Sequence, residues 1–194
     1  ALYKGIVATG VLSLVGGVGL RRRHDMAGHL ADGLDAGVGM TSSTDFDFFI
    51  GDWRVHHRRL KERLAGCREW VEFEGSSTAR KILGGFGNID DNLLDLPDGP
   101  YRAATLRSFD PATGLWSIWW LDGRRPHQLD TPVVGRFENG TGLFFADDML
   151  DGIPIKVRFT WFVLDADTAR WEQAFSNDGG NTWETNWTME FTRA

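Results

Sequence analysis

The sequence predicts an all-β protein: an up-and-down antiparallel barrel of about eight to ten strands, behind an irregular N-terminal extension. Three observations carry this. Short runs rich in Val, Phe, Trp and Thr alternate with turn signals at hairpin spacing. No segment with helical periodicity interrupts them, which argues against βαβ units. All nine Trp and thirteen Phe lie beyond residue 45, an aromatic load suited to a barrel interior or to the walls of an apolar pocket.

Taken in order, residues 1–44 read as an extension and 45–194 as the barrel domain. The apolar, Gly-rich "GIVATGVLSLVGGVGL" is short for a membrane helix, and its cations follow it rather than precede it as in a secretory signal. Met40 opens the polar "MTSSTDF" that runs into the core pattern, so it is a plausible true start, with 1–39 an added or disordered extension. "DFDFFIG" leads in with Phe46, Phe48, Phe49 and Ile50 placed to cover one end of the barrel. Strands are expected at 52–63, 68–76, 78–84, 101–109, 115–121, 133–138, 142–149, 154–164, 169–176 and 183–193. Asn139-Gly140 is a two-residue hairpin turn and "DPATG" a longer one. Alternation supports two-faced strands: Ile155, Val157, Phe159, Trp161 and Val163 share one face of 154–164.

Bulk properties exclude several classes. A net charge of −6 gives no overall attraction to nucleic acid or anionic lipid. A single cysteine, Cys67, excludes an intrachain disulfide and any multi-cysteine zinc site, and its place in a hairpin tip reads as incidental. No phosphate loop, dinucleotide Gly motif or HExxH is present, and the acidic pairs Asp90-Asp91 and Asp147-Asp148 could bind a cation but lack the spacing of an EF-hand loop. No cofactor and no metal are expected.

Two motifs specify structure. "SNDGGNTW" matches the Asp-box, in which Asp178 caps turn amides, Gly180 takes a conformation other residues avoid and Trp183 packs beneath. "GDW" (Gly51 to Trp53), opening the first long strand, is similar to the Gly-x-Trp signature of lipocalins and related calycin barrels. That resemblance implies that Trp53 plugs the closed end and that Arg193, near the end of the last strand, stacks over it. The longer text, "FDFFIGDWRVHHRRLKERLAG", "LGGFGNIDDN", "YRAATLRSFDPATGLWSIWWLDGR", "ADDMLDGIPIKVRFTW" and "RWEQAFSNDGGNTWETNW", resembles an uncharacterised bacterial family of lipocalin-like barrels. The resemblance spans about residues 44–193 and implies a fold without a mechanism.

Function is expected from two clusters. His56 and His57 are adjacent, so a strand points them to opposite faces and they cannot share a metal. Trp53, Val55, His57 and Arg59 share one face; if it is inward, His57 and Arg59 anchor an anionic or oxygenated ligand or pair with Glu72, Glu74 or Asp122. Trp119 and Trp161 then serve as pocket walls. "WWLDGRRPHQLD" brings Asp122 and His127 into one loop, an alternative site for proton transfer in an isomerase, cyclase or hydrolase. Haem held by His57 or His127 is a lesser alternative, and a structural or dimerising barrel without ligand a third. The leading expectation is a cytoplasmic barrel that binds a small, partly apolar ligand, with no nucleic-acid or membrane partner and a homodimer possible.

Overall fold

Residues 41–194 are described by the computed structural model, so the expectations for 1–39 and for a start at Met40 fall outside the described residues. Ten strands follow one another: β1 (Gly51–Leu60), β2 (Trp70–Ile82), β3 (Gly87–Leu96), β4 (Gly99–Asp110), β5 (Leu115–Asp122), β6 (Val133–Glu138), β7 (Thr141–Leu150), β8 (Ile153–Val163), β9 (Thr168–Ser176) and β10 (Glu184–Arg193). Each pairs antiparallel with its neighbour in sequence, and β10 pairs with β1 to close the barrel. Closure leaves no free sheet edge.

Two of the expected strands are corrected. The segments 68–76 and 78–84 are one continuous strand, β2, because Gly75-Ser76-Ser77 stays in register with both neighbours instead of turning. The stretch "GNIDDNLLDL", left out of the expected strands, is β3. Three polar residues, Asn88, Asp90 and Asn92, share its inward face, the reverse of the usual alternation. Turn chemistry behaves as expected: Asn139-Gly140 and Asp151-Gly152 both take positive φ at both positions, the backbone of a tight hairpin turn matched to strand twist.

Trp53, Val55 and His57 point inward from β1, joined by Trp116 and Ile118 of β5 and by Val157 and Trp161 of β8. The outer face carries ion pairs instead, among them Arg58–Glu72, Lys61–Glu69, Arg102–Asp91, Arg136–Glu138 and Lys156–Asp147. That charged exterior is the opposite of the lipid-facing band of a membrane barrel. Among the described residues no helix is long and apolar enough to cross a membrane.

One end is sealed by the Gly-x-Trp strand. A short 3-10 turn, Asp47–Phe49, crosses it. Trp53 Nε1 donates to the Phe49 carbonyl at 2.8 Å, and the Phe49 ring stacks on the Trp53 indole with centroids 5.6 Å apart. Arg193, paired with Trp53 across β1 and β10, lays its guanidinium 3.8 Å from the Trp53 ring centroid. Its two Nη atoms donate to the carbonyls of Ile50 and Phe48, each at 2.8 Å. Gly51 sits at φ +119°, and a Cβ there would come within 2.9 Å of Arg193 Nη1, so this close passage requires glycine. Phe46, packed edge-on to Trp116, Phe137 and Trp161, completes an aromatic floor.

The Asp-box folds as its residues dictate. Asp178 accepts from the Thr182 amide and hydroxyl and from Ser176 Oγ, which hold its carboxyl well below the usual carboxylate range. Gly180 has φ +97°, and Trp183 Nε1 donates to the Gly180 carbonyl at 3.0 Å.

Arg193→Ala removes the stacked cation and takes its donors from two half-buried carbonyls, so urea unfolding is expected to show a loss of about 2 kcal/mol. Arg193→Lys keeps the charge but cannot span both carbonyls, and is expected to recover less than half of that loss; full recovery would mean the fork geometry contributes nothing.

Candidate functional site

Above the aromatic floor the interior is not filled. A cavity of about 80 Å³ lies between the floor and the end formed by the β5–β6 connection and the top of β7. It is room for several waters at roughly 10–15 Å³ each, and well below the roughly 300–1,000 Å³ of pockets that hold drug-sized ligands. Its walls are a chain of rings in edge-to-face contact: Trp120 on Trp187 (5.9 Å between centroids), Trp187 on Trp171 (5.6 Å) and Trp171 on Phe159 (4.8 Å).

At the floor stands a buried ion pair. Asp90 of β3 and Arg107 of β4 both point inward, their side chains 1% and 3% exposed, and Arg107 Nη1 meets Asp90 Oδ2 at 2.8 Å. The same nitrogen donates to Asn88 Oδ1 at 2.9 Å. Asp90 Oδ1 accepts from the Thr105 amide at 2.9 Å and from Asn92 Nδ2 at 2.7 Å, so the carboxylate is well solvated by protein donors. The guanidinium lies 4.8–5.5 Å from the ring centroids of Phe49, Phe46 and Trp161. Arg107 Nε has no hydrogen-bond partner among the described residues.

The other end is acidic. Asp130 and Thr131, from the β5–β6 connection, and Asp148, from β7, line the cavity there. Burial pushes the Asp130 carboxyl up to about 6; Arg125 opposes this, while the charges of Asp148 and Asp122 add to it. Burial raises Asp148 too, against a hydrogen bond from its neighbour's amide, Met149 N, at 2.7 Å.

The residues expected from the sequence are distributed unevenly around this cavity. Trp161 lines it. Trp119 does not, because the inward parity of β5 runs through Trp116, Ile118 and Trp120, which puts Trp120 on the wall instead. His57 is inward and buried, but it stacks on Phe73 at 4.6 Å and accepts a hydrogen bond at Nδ1 from Trp187 Nε1 at 3.3 Å. Burial first, then the charges of Arg59 and His56, hold it down to about 3, so it is neutral. The ring is accommodated by Gly75, where a Cβ would stand 2.7 Å from His57 Nε2. Arg59 packs its guanidinium over Phe73 and Trp187 at 5.5 and 5.3 Å. Neither residue lines the cavity; Trp187 does.

Glu72 and Glu74 belong to the outer face, bound to Arg58 and His56, and so cannot serve Arg59 from inside. Asp122 is buried with its carboxylate gripped by Arg124 through Nε and Nη2, while His127 is exposed. Neither lines the cavity, and neither histidine is placed to ligate a group bound there. Among the described residues no three His, Cys, Asp or Glu side chains are grouped to hold a metal. Sequence reasoning missed Arg107, Trp120 and Asp130, and singled out Asp90 and Asp148 only as members of acidic pairs without EF-hand spacing. The one available signal was parity: Ala103, Thr105, Arg107 and Phe109 alternate as the inward face of β4.

Comparison with known proteins bears on the fold. No family model matches the chain, and no curated protein matches it. Among solved structures, the S-type phycobiliprotein lyase CPES from Guillardia theta aligns over 80% of this chain and 94% of its own, with a TM-score of 0.56 at 9% identity. EF1p2_mFAP2b bound to DFHBI aligns over 78% of this chain and 98% of its own, at TM-score 0.41 and 10% identity. The ywiB protein from Bacillus subtilis covers 74% of this chain and 92% of its own, at 0.33 and 12%. The likeness to the first of these is one of fold, an antiparallel β-barrel.

Asp130 holds a proton more tightly when folded (about 6) than its ordinary 3.8. The folded state therefore binds more protons between those values, and this group's contribution falls as pH rises through about 6. Asp130→Asn is expected to raise stability at pH 7.5 by about 1–2 kcal/mol after allowance for solvent screening, with the gain gone below pH 4; equal gains at both pH values would refute the assignment. For the floor, Asp90→Leu and Arg107→Met should each cost about 3–5 kcal/mol, and the double variant clearly less than their sum. Additive losses in chemical denaturation would show the pair to be uncoupled.

Proposed function

We propose that the barrel binds a small, partly apolar ligand in the cavity above the aromatic floor. One observation carries the reading. The unfilled space is walled by indole and phenyl faces and ended by polar groups at both poles, Arg107 with Asp90 below and Asp130 with Asp148 above. Apolar walls with few placed polar groups are the composition of a recognition site, not of a packing defect. The volume limits the occupant to a few heavy atoms. The Arg107 end, whose Nε is an unsatisfied donor, favours a ligand oxygen there. The expected anchor of His57 and Arg59 gives way to this pair. The same reading keeps the sequence-based expectations of a bacterial lipocalin-like family, a cytoplasmic location and no nucleic-acid partner.

A barrel that pairs with a second copy is the alternative, favoured by one feature of the outer wall. Val134 and Phe145 face each other across β6 and β7 with Leu143 nearby, all three exposed, and Trp183 packs against Phe145.

The two readings separate in a fragment screen followed through the indole N–H resonances. Fragments that bind are expected to shift Trp120, Trp171 and Trp187, and Ala146→Phe, which fills the cavity from β7, is expected to abolish those shifts in a protein that still unfolds cooperatively. Binding that survives in the filled variant would sink the cavity reading.

A further inference from the structure

The charges around the cavity do not balance. Asp90 and Arg107 cancel each other within 2.8 Å at the floor. Asp130 and Asp148 have no salt-bridge partner within 4 Å among the described residues, yet both are half-buried and each lines the same space. Arg125 acts on Asp130 through space, but its Nη1 is directed to Gln128 Oε1 at 3.4 Å. Two carboxylates at a half-buried mouth repel each other, Arg125 offsets part of that cost for Asp130, and a proton or a bound cation relieves the remainder. The adjacent walls favour the same sign of charge, since the faces of Trp120 and Trp187 attract cations. At the far pole, Arg107 is almost wholly buried, lines the cavity and keeps Nε without an acceptor.

Resting on the ligand-binding reading above, we infer that the ligand is a small organic cation carrying an acceptor oxygen at its other end. Its protonated nitrogen sits at the mouth with Asp130 and Asp148, its apolar middle lies against Trp120 and Trp187, and its oxygen accepts from Arg107. Carboxylate-to-ammonium bonds are charge-assisted and stronger than neutral ones. An anion of the same shape meets both carboxylates and is excluded. This sets the charge of the ligand opposite to the anionic expectation raised by His57 and Arg59.

The test uses the intact chain and three probes that differ only at one end: 3-methoxypropylamine, 3-methoxypropan-1-ol and 3-methoxypropanoate. Pentylamine serves as the amine without an acceptor oxygen. Affinities are read from indole shifts in a titration at pH 8. The amine is expected to bind about tenfold or more tightly than the alcohol, the gain of a hydrogen bond to a charged group, and the carboxylate not at all. Asp130→Asn combined with Asp148→Asn is expected to bring the amine down to the alcohol's affinity.

Lowering the pH from 8 to 5 is expected to weaken amine binding in the unmodified protein as well, because Asp130 gains a proton while the amine stays charged. Asp148 acts on Asp130 from β7, Asp122 from the end of β5 and Arg125 from its own connection, so all four charges set that titration. Amine and alcohol binding alike overturns the cation while leaving the ligand site standing. Pentylamine binding as well as 3-methoxypropylamine overturns the role of Arg107. Tighter binding of the carboxylate reverses the sign, and silence from every probe overturns both the inference and the reading on which it rests.

Discussion

Closing ten strands makes an interior wider than an eight-stranded barrel, whose side chains just fill it. Everything else follows from how this chain deals with that width. Aliphatic residues of a single strand cannot reach across, so the inward positions carry rings: Trp53, Trp116, Trp161, Trp171, Trp187, Phe46, Phe49 and Phe191. Most of these pack into a floor locked by Arg193 and crossed by the Asp47–Phe49 turn. Trp171 and Trp187 line the walls of a space that remains open. The cavity is thus a consequence of strand number, and the floor is what keeps it from running through the barrel.

The floor depends on a cation at each of two levels. Arg193 covers Trp53 from outside and ties the lead-in carbonyls to the last strand. Arg107 lies on the inner side of the same aromatic layer, against Phe46, Phe49 and Trp161. Their costs differ. Arg193 finds carbonyl oxygens at a half-open rim, whereas Arg107 is fully withdrawn from water and needs a carboxylate. Asp90 meets that need only because Thr105 and Asn92 satisfy its second oxygen. The polar residues of β3 that disguise it as a loop in the sequence are what let a guanidinium stand inside an aromatic core.

That inversion marks the boundary of what the sequence discloses. Alternating apolar strands, Asn-Gly turns and the Gly-x-Trp opening are local signals, and the barrel, its plug and the Asp178 hairpin were legible from them. Residues whose role depends on a partner far along the chain were not. "GNIDDNLLDL" looks like a turn until Arg107, on the next strand, gives Asp90 a reason to be buried. Trp119 and Trp120 differ by one step of parity, which only pairing fixes. Asp130 and Asp148 lie 18 positions apart and meet at the mouth because β6 and β7 fold back on each other. His57 misleads for a related reason: its direction hung on that of Trp53, and although both point inward, the layer of the barrel that His57 enters is filled.

Trp187 is the divide between those layers. A single inserted residue in β10, Asn186, shifts the register between Thr185 and Trp187, and its side chain is held by Gln173 at 2.8 Å. The bulge sets Trp187 inward, where one edge donates to His57 and the ring stands against Trp120 and Trp171. On the β1–β2 side, His57, Phe73 and Arg59 are packed solid against it; on the β5–β8 side lies the open space. The cations of the first strand are thereby shut away from anything the cavity holds. Since Asp90 neutralises Arg107, the electrostatic character of the cavity falls to the residues nearest solvent, Asp130 and Asp148. A chain whose sequence advertises histidine and arginine at its barrel entrance presents carboxyl groups to whatever enters.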